Sequence, residues 1–198
     1  MRETFDNGWL AIDKCTDVEV ADLIATGTKS MEDFLPNTEL INCMKLDSSD
    51  EVSILDFGCG MGRNLQAMLD TKWKLVGYDS KEMISRAKKF LKNPNRIDFY
   101  MDWNDVKKLK FDWVIASLVF QHIQHKALRN YLQDLQKMTN NLLINGRMFN
   151  DHGGNTWDIV FEYFNLNHYI GSKNLDEAFN KATDKEQHDT GIFCPAEK

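Results

Sequence analysis

No run of apolar residues in this chain approaches the roughly 18 to 20 needed to cross a bilayer, and the opening MRETFDNGW lacks the basic and apolar blocks of a secretion signal. A soluble, cytoplasmic protein with no membrane partner is the expectation. Cysteine is sparse: Cys15, Cys43, Cys59 and Cys194 are scattered with no CxxC pair, which gives no sign of a zinc site or a redox motif and fits free thiols. Positive charge is short as well, with 24 Lys and Arg against 30 Asp and Glu and a net charge of -6. Residues 81–110 are locally basic by +5, leaving -11 for the remainder, and those cations fall on the solvated side of an expected amphipathic helix. Counterion release requires a broad cationic surface, so no nucleic-acid partner is expected. Internal repeats, low-complexity tracts and linkers are absent too.

What the chain does have is a core. Hydrophobic residues make up 42% and aromatics 11% of its 198 residues, enough for one packed domain. Short apolar runs at Val52 to Phe57, Lys74 to Asp79, Ile97 to Met101, Asp112 to Ser117 and Arg147 to Asn150 alternate with helical periodicity. Continuous apolar runs suit strands covered on both faces, which predicts an α/β fold: a Rossmann-like, doubly wound, mainly parallel sheet with helices on both faces. Met83, Ile84, Ala87, Phe90 and Leu91 line one helix behind a Ser80 cap, and Leu128, Leu132, Leu135 and Met138 line another over Lys126 to Asn141. Asn145-Gly146 then reads as the turn into a fifth strand. Residues 1–50 read as a helical cap with two short helices, Val18 to Lys29 and Ser30 to Leu46, anchored by Phe5, Trp9, Phe34 and Leu35. Phe5 and Trp9 are expected either to close over the site as a lid or to dock on the core. Residues 51–151 form the ligand-binding core. Residues 152–198 are a substrate-side segment in which Trp157, Val160, Phe161 and Phe164 make a helical stripe and Gly191 to Cys194 a short edge strand, with the sheet's last strand pair possible but incomplete.

The most informative stretch is Ser53-Ile54-Leu55-Asp56-Phe57-Gly58-Cys59-Gly60-Met61-Gly62-Arg63-Asn64, a buried strand running through glycines into a helix. Glycine is required where a Cβ would block a tight turn or an approaching ligand, and the helix start offers unpaired N–H groups. A dinucleotide fingerprint begun at Gly58 would need glycine or alanine at position 63, where Arg63 stands. A carboxylate at Asp56 would repel a pyrophosphate, so a cationic ligand suits the turn better.

ILDFGCGMG matches at every position the first motif, hhDhGCGxG, of the class I S-adenosylmethionine-dependent methyltransferases, and residues 50–151 resemble that family, small-molecule type, in order and spacing. The resemblance implies S-adenosyl-L-methionine as cofactor. Asp56 would organise its amino-acid end, with Gly58, Cys59 and Gly60 passing beside the methionine and ribose. Asp79, 21 residues after Gly58, would accept the ribose hydroxyls, followed by Ser80, with Met83 against the adenine. Asp102 would receive the adenine amino group and Trp103 cover the ring. Phe111 to Ile123 resembles the family's fourth strand and the segment after it, putting Ser117 to Phe120 beside the transferred methyl.

Methyl transfer from a sulfonium mainly needs an aligned nucleophile and, for some acceptors, a proton acceptor. Family members acting on nucleobase amino groups carry an Asn/Asp-Pro-Pro-aromatic motif where this chain has Ser117-Leu118-Val119-Phe120, which disfavours base N-methylation; the small-molecule methyl acceptor is what the resemblance implies. His122, His125, His152 and His168 are candidate bases, His122 being nearest the transfer point. His122 and His125 have metal-pair spacing but no third ligand, so no metal is expected. Asp151-His152 follows the fifth strand at the ligand-binding edge. The alternatives are a non-catalytic regulatory module binding S-adenosylmethionine or S-adenosylhomocysteine, and a nucleotide-dependent oxidoreductase, which Arg63 disfavours. Acceptor identity and oligomeric state stay open.

Overall fold

The computed structural model describes residues 38–170 and 189–196. Phe5, Trp9, Phe34, Leu35 and the first expected helix lie outside the described residues, and α1 (Thr38–Asn42) falls within the second. From Ser53 onward strands and helices alternate: β1 (Ser53–Phe57), α2 (Arg63–Met68), β2 (Lys74–Tyr78), α3 (Lys81–Phe90), β3 (Ile97–Tyr100), α4 (Trp103–Val106), β4 (Trp113–Ser117), α5 (His125–Met138), β5 (Leu142–Gly146), α6 (Thr156–Phe161), β6 (Phe164–Ile170) and β7 (Asp189–Pro195).

The strands form one seven-stranded sheet in the order β3-β2-β1-β4-β5-β7-β6. β1 to β5 run parallel, and β7 is antiparallel to both β5 and β6. Alternation along β1 sorts its side chains between two layers. Leu55 and Phe57 join the layer under α5, with Leu128, Leu132 and Leu135. Ile54 joins the opposite layer, with Leu65 and Met68 of α2 and Ile84 and Ala87 of α3. The period of two therefore turns Asp56 to the α2 side, away from α5. The strand order reverses its progression between β1 and β4, and the carboxyl ends of strands at such a switch point are where open α/β sheets bind ligands.

Several expectations are corrected. The fifth strand is Leu142–Gly146 and not Arg147 to Asn150, and α5 ends at Met138, three residues before Asn141. Leu142, Leu143 and Ile144 pair with β4 in the middle of the sheet, so their burial belongs to a strand covered on both faces. Gly146 closes that strand instead of turning into it. A Cβ on Gly146 would stand 2.6 Å from Gln121 Oε1. In the last segment, the expected edge strand Gly191 to Cys194 is part of β7, which lies inside the sheet between β5 and β6. The final antiparallel pair is present, and Trp157, Phe164 and Phe193 pack into the α5-side layer behind it.

Candidate functional site

The turn from β1 into α2 owes its shape to three left-handed glycines, Gly58 (φ 70), Gly60 (φ 54) and Gly62 (φ 84). The N–H groups of Gly58 and Cys59 both donate to Tyr78 O at the end of β2, at 2.9 and 3.1 Å. Asp79 follows directly. One of its oxygens accepts Gly60 N–H at 2.7 Å and the other accepts Ser80 N–H at 2.6 Å. This carboxylate thus ties the glycine turn to the start of α3, where Ser80 Oγ caps Met83 N–H. Carboxylate oxygens have capacity for more than one donor, so ribose hydroxyls are compatible with these backbone bonds.

Asp56 is 1% exposed. Asn64 Nδ2 donates to its Oδ1 at 3.3 Å, while Asp56 Oδ2 and Asn64 Oδ1 are buried without a protein partner. Burial pushes the Asp56 carboxyl up to about 7, against the Asn64 hydrogen bond and the Arg63 charge, with Asp79 adding repulsion. A buried carboxylate with an unused oxygen beneath a glycine turn fits a ligand that brings positive charge, as S-adenosylmethionine would.

The segment after β4 is pressed against this turn. Leu118 takes a left-handed conformation (φ 59) and donates to Asn145 O at 2.6 Å, and the kink sends Val119 onto the glycine turn. A Cβ on Gly58 would lie 2.4 Å from Val119 Cγ2, so this glycine makes room for protein as much as for ligand. Ser117 Oγ accepts from Arg63 Nη2 at 3.2 Å and lies 3.4 Å from Asn145 Oδ1. Asn145 Nδ2 continues to Thr190 Oγ1 of β7 at 2.9 Å. A polar row therefore runs from α2 across three strands, β4, β5 and β7, along the carboxyl edge.

Asp102 caps α4, accepting from Asn104 N–H at 2.9 Å. Trp103 points the other way: its ring packs edge-on to Phe57 and Tyr131 and tilted on Tyr78, and its indole N–H donates to Asp134 Oδ2 at 2.9 Å. Beside it, the side chain exposed at the end of β3 is Met101, at 51%. Met83 and Cys59 are both buried, and burial together with the charge of Asp79 pushes the Cys59 thiol up.

His122 sits on a short helical turn, Phe120–His122, and is 7% exposed. Its Nδ1 lies 2.5 Å from Asp151 Oδ2, and Arg147 Nη2 donates to the other oxygen of Asp151 at 2.9 Å. Burial lowers the His122 pKa, which the Asp151 hydrogen bond only partly offsets. For Asp151 burial acts upward, but the His122 and Arg147 interactions outweigh it and hold the carboxyl below its usual range. His152 Nε2 stands 3.3 Å from His122 O, a structural contact, and His168 lies exposed on β6. His125 Nε2 is buried without a partner. Among the described residues no three His, Cys, Asp or Glu side chains gather as a metal site. Asn64, Gln121 and Arg147 were invisible as site residues in the sequence, because each acquires its partner only through the sheet.

Residues 54–141 match a family model described as a methyltransferase domain. No curated protein matches the chain in sequence. Among solved structures, it is similar to the N-methyltransferase NodS of Bradyrhizobium japonicum WM9 in complex with S-adenosyl-L-homocysteine, at 16% identity and TM-score 0.65, over 97% of this chain and 100% of that one. It is similar to a TehB-like SAM-dependent methyltransferase of Corynebacterium glutamicum at 15% identity and TM-score 0.64, over 89% and 94%. A third, the magnesium protoporphyrin IX methyltransferase ChlM of Synechocystis PCC 6803 with bound SAM, shares 15% identity and TM-score 0.57 over 80% and 76%. Residues 54–141 thus match the methyltransferase-domain model, and the seven-stranded sheet gives the chain the Rossmann-like fold of the class I S-adenosylmethionine-dependent methyltransferases.

Proposed function

We propose that this protein transfers a methyl group from S-adenosyl-L-methionine to a small-molecule acceptor at the carboxyl edge of β1, β2 and β4. The observation that carries the reading is Asp56, a buried carboxylate with an unpartnered oxygen directly beneath a turn of left-handed glycines. When bound, the cofactor supplies a methyl group already activated on a sulfonium. The chain's own task is then to bind, orient and exclude water. Asp56 receives the positive amino-acid end, and Gly58, Cys59 and Gly60 present bare backbone beside it. Asp79 accepts the ribose hydroxyls, with Ser80 and Met83 behind it, and Asp102 receives the adenine amino group. Trp103 supports this wall from within the core. Ser117 and Leu118 border the transfer point, and His122 takes up a proton when the acceptor carries one.

Calorimetry with S-adenosylmethionine and S-adenosylhomocysteine tests the reading, together with detection of S-adenosylhomocysteine formed over a panel of small acceptors. Asp79→Ala is expected to weaken binding by roughly 1.5 to 3 kcal/mol per hydrogen bond to the charged group. Failure of the folded parent protein to bind either ligand overturns the proposal.

A further inference from the structure

Four residues on the acceptor side of the site close a ring that the reading above does not require. Gly146 leaves space for Gln121 Oε1, which accepts Arg147 N–H at 2.6 Å. The other end of the same amide, Gln121 Nε2, then faces His122 Nε2 at 3.4 Å. His122 Nδ1 lies 2.5 Å from Asp151 Oδ2, and Arg147 Nη2 returns to Asp151 Oδ1 at 2.9 Å. The backbone is locked in as well, since Asp151 N–H donates to Gln121 O at 2.9 Å. Because the amide oxygen is engaged by Arg147, its NH2 group is what meets the imidazole. The His122 Nε2 must therefore be an acceptor, and the single proton of a neutral ring belongs on Nδ1, donated to Asp151. The contact at 3.4 Å orients the Nε2 lone pair without holding it firmly.

We infer that Arg147 and Asp151 are positioning residues that hold His122 as the proton acceptor for a hydroxyl acceptor, one whose attacking oxygen keeps its proton until the methyl is transferred. The inference rests on the methyltransferase reading of the same site and adds the substrate class. In the transfer, an oxygen lone pair forms the O–CH3 bond, the S–CH3 electron pair stays on sulfur, and the hydroxyl proton passes to His122 Nε2. The positive charge of the sulfonium thereby reappears on the imidazolium, 2.5 Å from the Asp151 carboxylate that stabilises it. Two cations, Arg63 on Ser117 and Arg147 on Asp151, oppose an ammonium acceptor. A thiol ionises readily by itself and has less need of a base. A ring serving packing alone would be satisfied by a neutral amide at position 151, with no ion pair to assemble.

The charged and titratable groups acting on His122 are Asp151, Arg147 and His152. Removing the Asp151 charge takes away the group that supports the imidazolium, so the acid limb of the rate profile should move to lower pH while the rate falls. The decisive experiment has two arms on the full chain. Imidazole nitrogen NMR of the parent protein at neutral pH is expected to show His122 protonated on Nδ1 and bare on Nε2; the opposite tautomer overturns the inference, whether or not any variant folds. In the second arm, Asp151→Asn is expected to lower kcat on phenolic hydroxyls roughly 100- to 10,000-fold, with S-adenosylhomocysteine affinity within about twofold of the parent, an acid limb displaced downward, and partial recovery in Asp151→Glu. Unchanged kcat, an unmoved limb, or transfer confined to thiols or amines overturns it. Loss of S-adenosylhomocysteine binding by the parent protein instead defeats the methyltransferase reading itself, a separate result.

Discussion

At the scale of single residues, Asp56 sets stability against function. Its folded-state pKa, raised to about 7 by burial, lies above the value of an unfolded Asp. The folded state therefore binds more protons than the unfolded state between those values, and stability present in acid is lost as pH rises toward and through 7. Asp56→Asn should abolish that slope and stabilise the protein at pH 8 by on the order of 2 kcal/mol, while weakening S-adenosylmethionine binding. Thermal melts at pH 5 and pH 8 alongside calorimetry check both signs, and a variant less stable than the parent at pH 8 contradicts the account. Gly58 makes a second prediction. Gly58→Ala should cost about 1 to 3 kcal/mol, combining left-handed strain with a Cβ driven to 2.4 Å from Val119 Cγ2. Adding Val119→Ala should return the contact part of that loss and leave the strain, so chemical denaturation of the two single variants and the double variant must show positive coupling.

At the scale of elements, the link between β4 and α5 decides what borders the glycine turn. Leu118 adopts φ 59 so that Val119 meets the glycine turn while Gln121 reaches Gly146 and Arg147. Leu118→Val, β-branched and hostile to positive φ, should therefore destabilise by about 1 to 2 kcal/mol more than Leu118→Gly, which accepts that conformation without strain. Urea unfolding distinguishes this order from the reverse, which simple loss of apolar surface would produce. The same link explains the displaced fifth strand. Leu142, Leu143 and Ile144 follow α5 after only three connecting residues, so their apolar character continues a helical stripe when read along the chain. Asn145-Gly146 has turn chemistry, yet Gly146 is needed because a side-chain amide from another element fills its Cβ position.

At the scale of the molecule, β7 lies between β5 and β6 and completes the sheet beyond its parallel half. Trp157, Phe164 and Phe193 are fully buried behind it, with the Trp157 and Phe193 rings 5.3 Å apart. Truncation after Tyr163 would remove Phe164 and Phe193, uncover Trp157 and leave β5 as an unpaired apolar edge. Such a protein is expected to lose its cooperative thermal transition and to aggregate, as followed by circular dichroism and size-exclusion chromatography. A truncated chain that still melts cooperatively would show that the parallel half folds alone.

The sequence by itself determined whatever is written in consecutive residues: the apolar runs of β1 to β4, the Ser80 cap, and the passage from Asp56 through the glycines toward Asp79. Period, turn chemistry and spacing are local quantities, so one strand-turn-helix unit carried most of the proposed cofactor side. Only the tertiary structure decided the rest. Asp56 became a buried carboxylate with one unpartnered oxygen because alternation along β1 turns it beneath α2, and Trp103 went to the core because Asp134 and Tyr131 of α5 receive it. His122 met Asp151, 29 residues away, because β4 and β5 are neighbours whose carboxyl ends point to one edge. Pairings of that kind depend on strand order, and strand order follows from which apolar faces cover one another across the whole sheet.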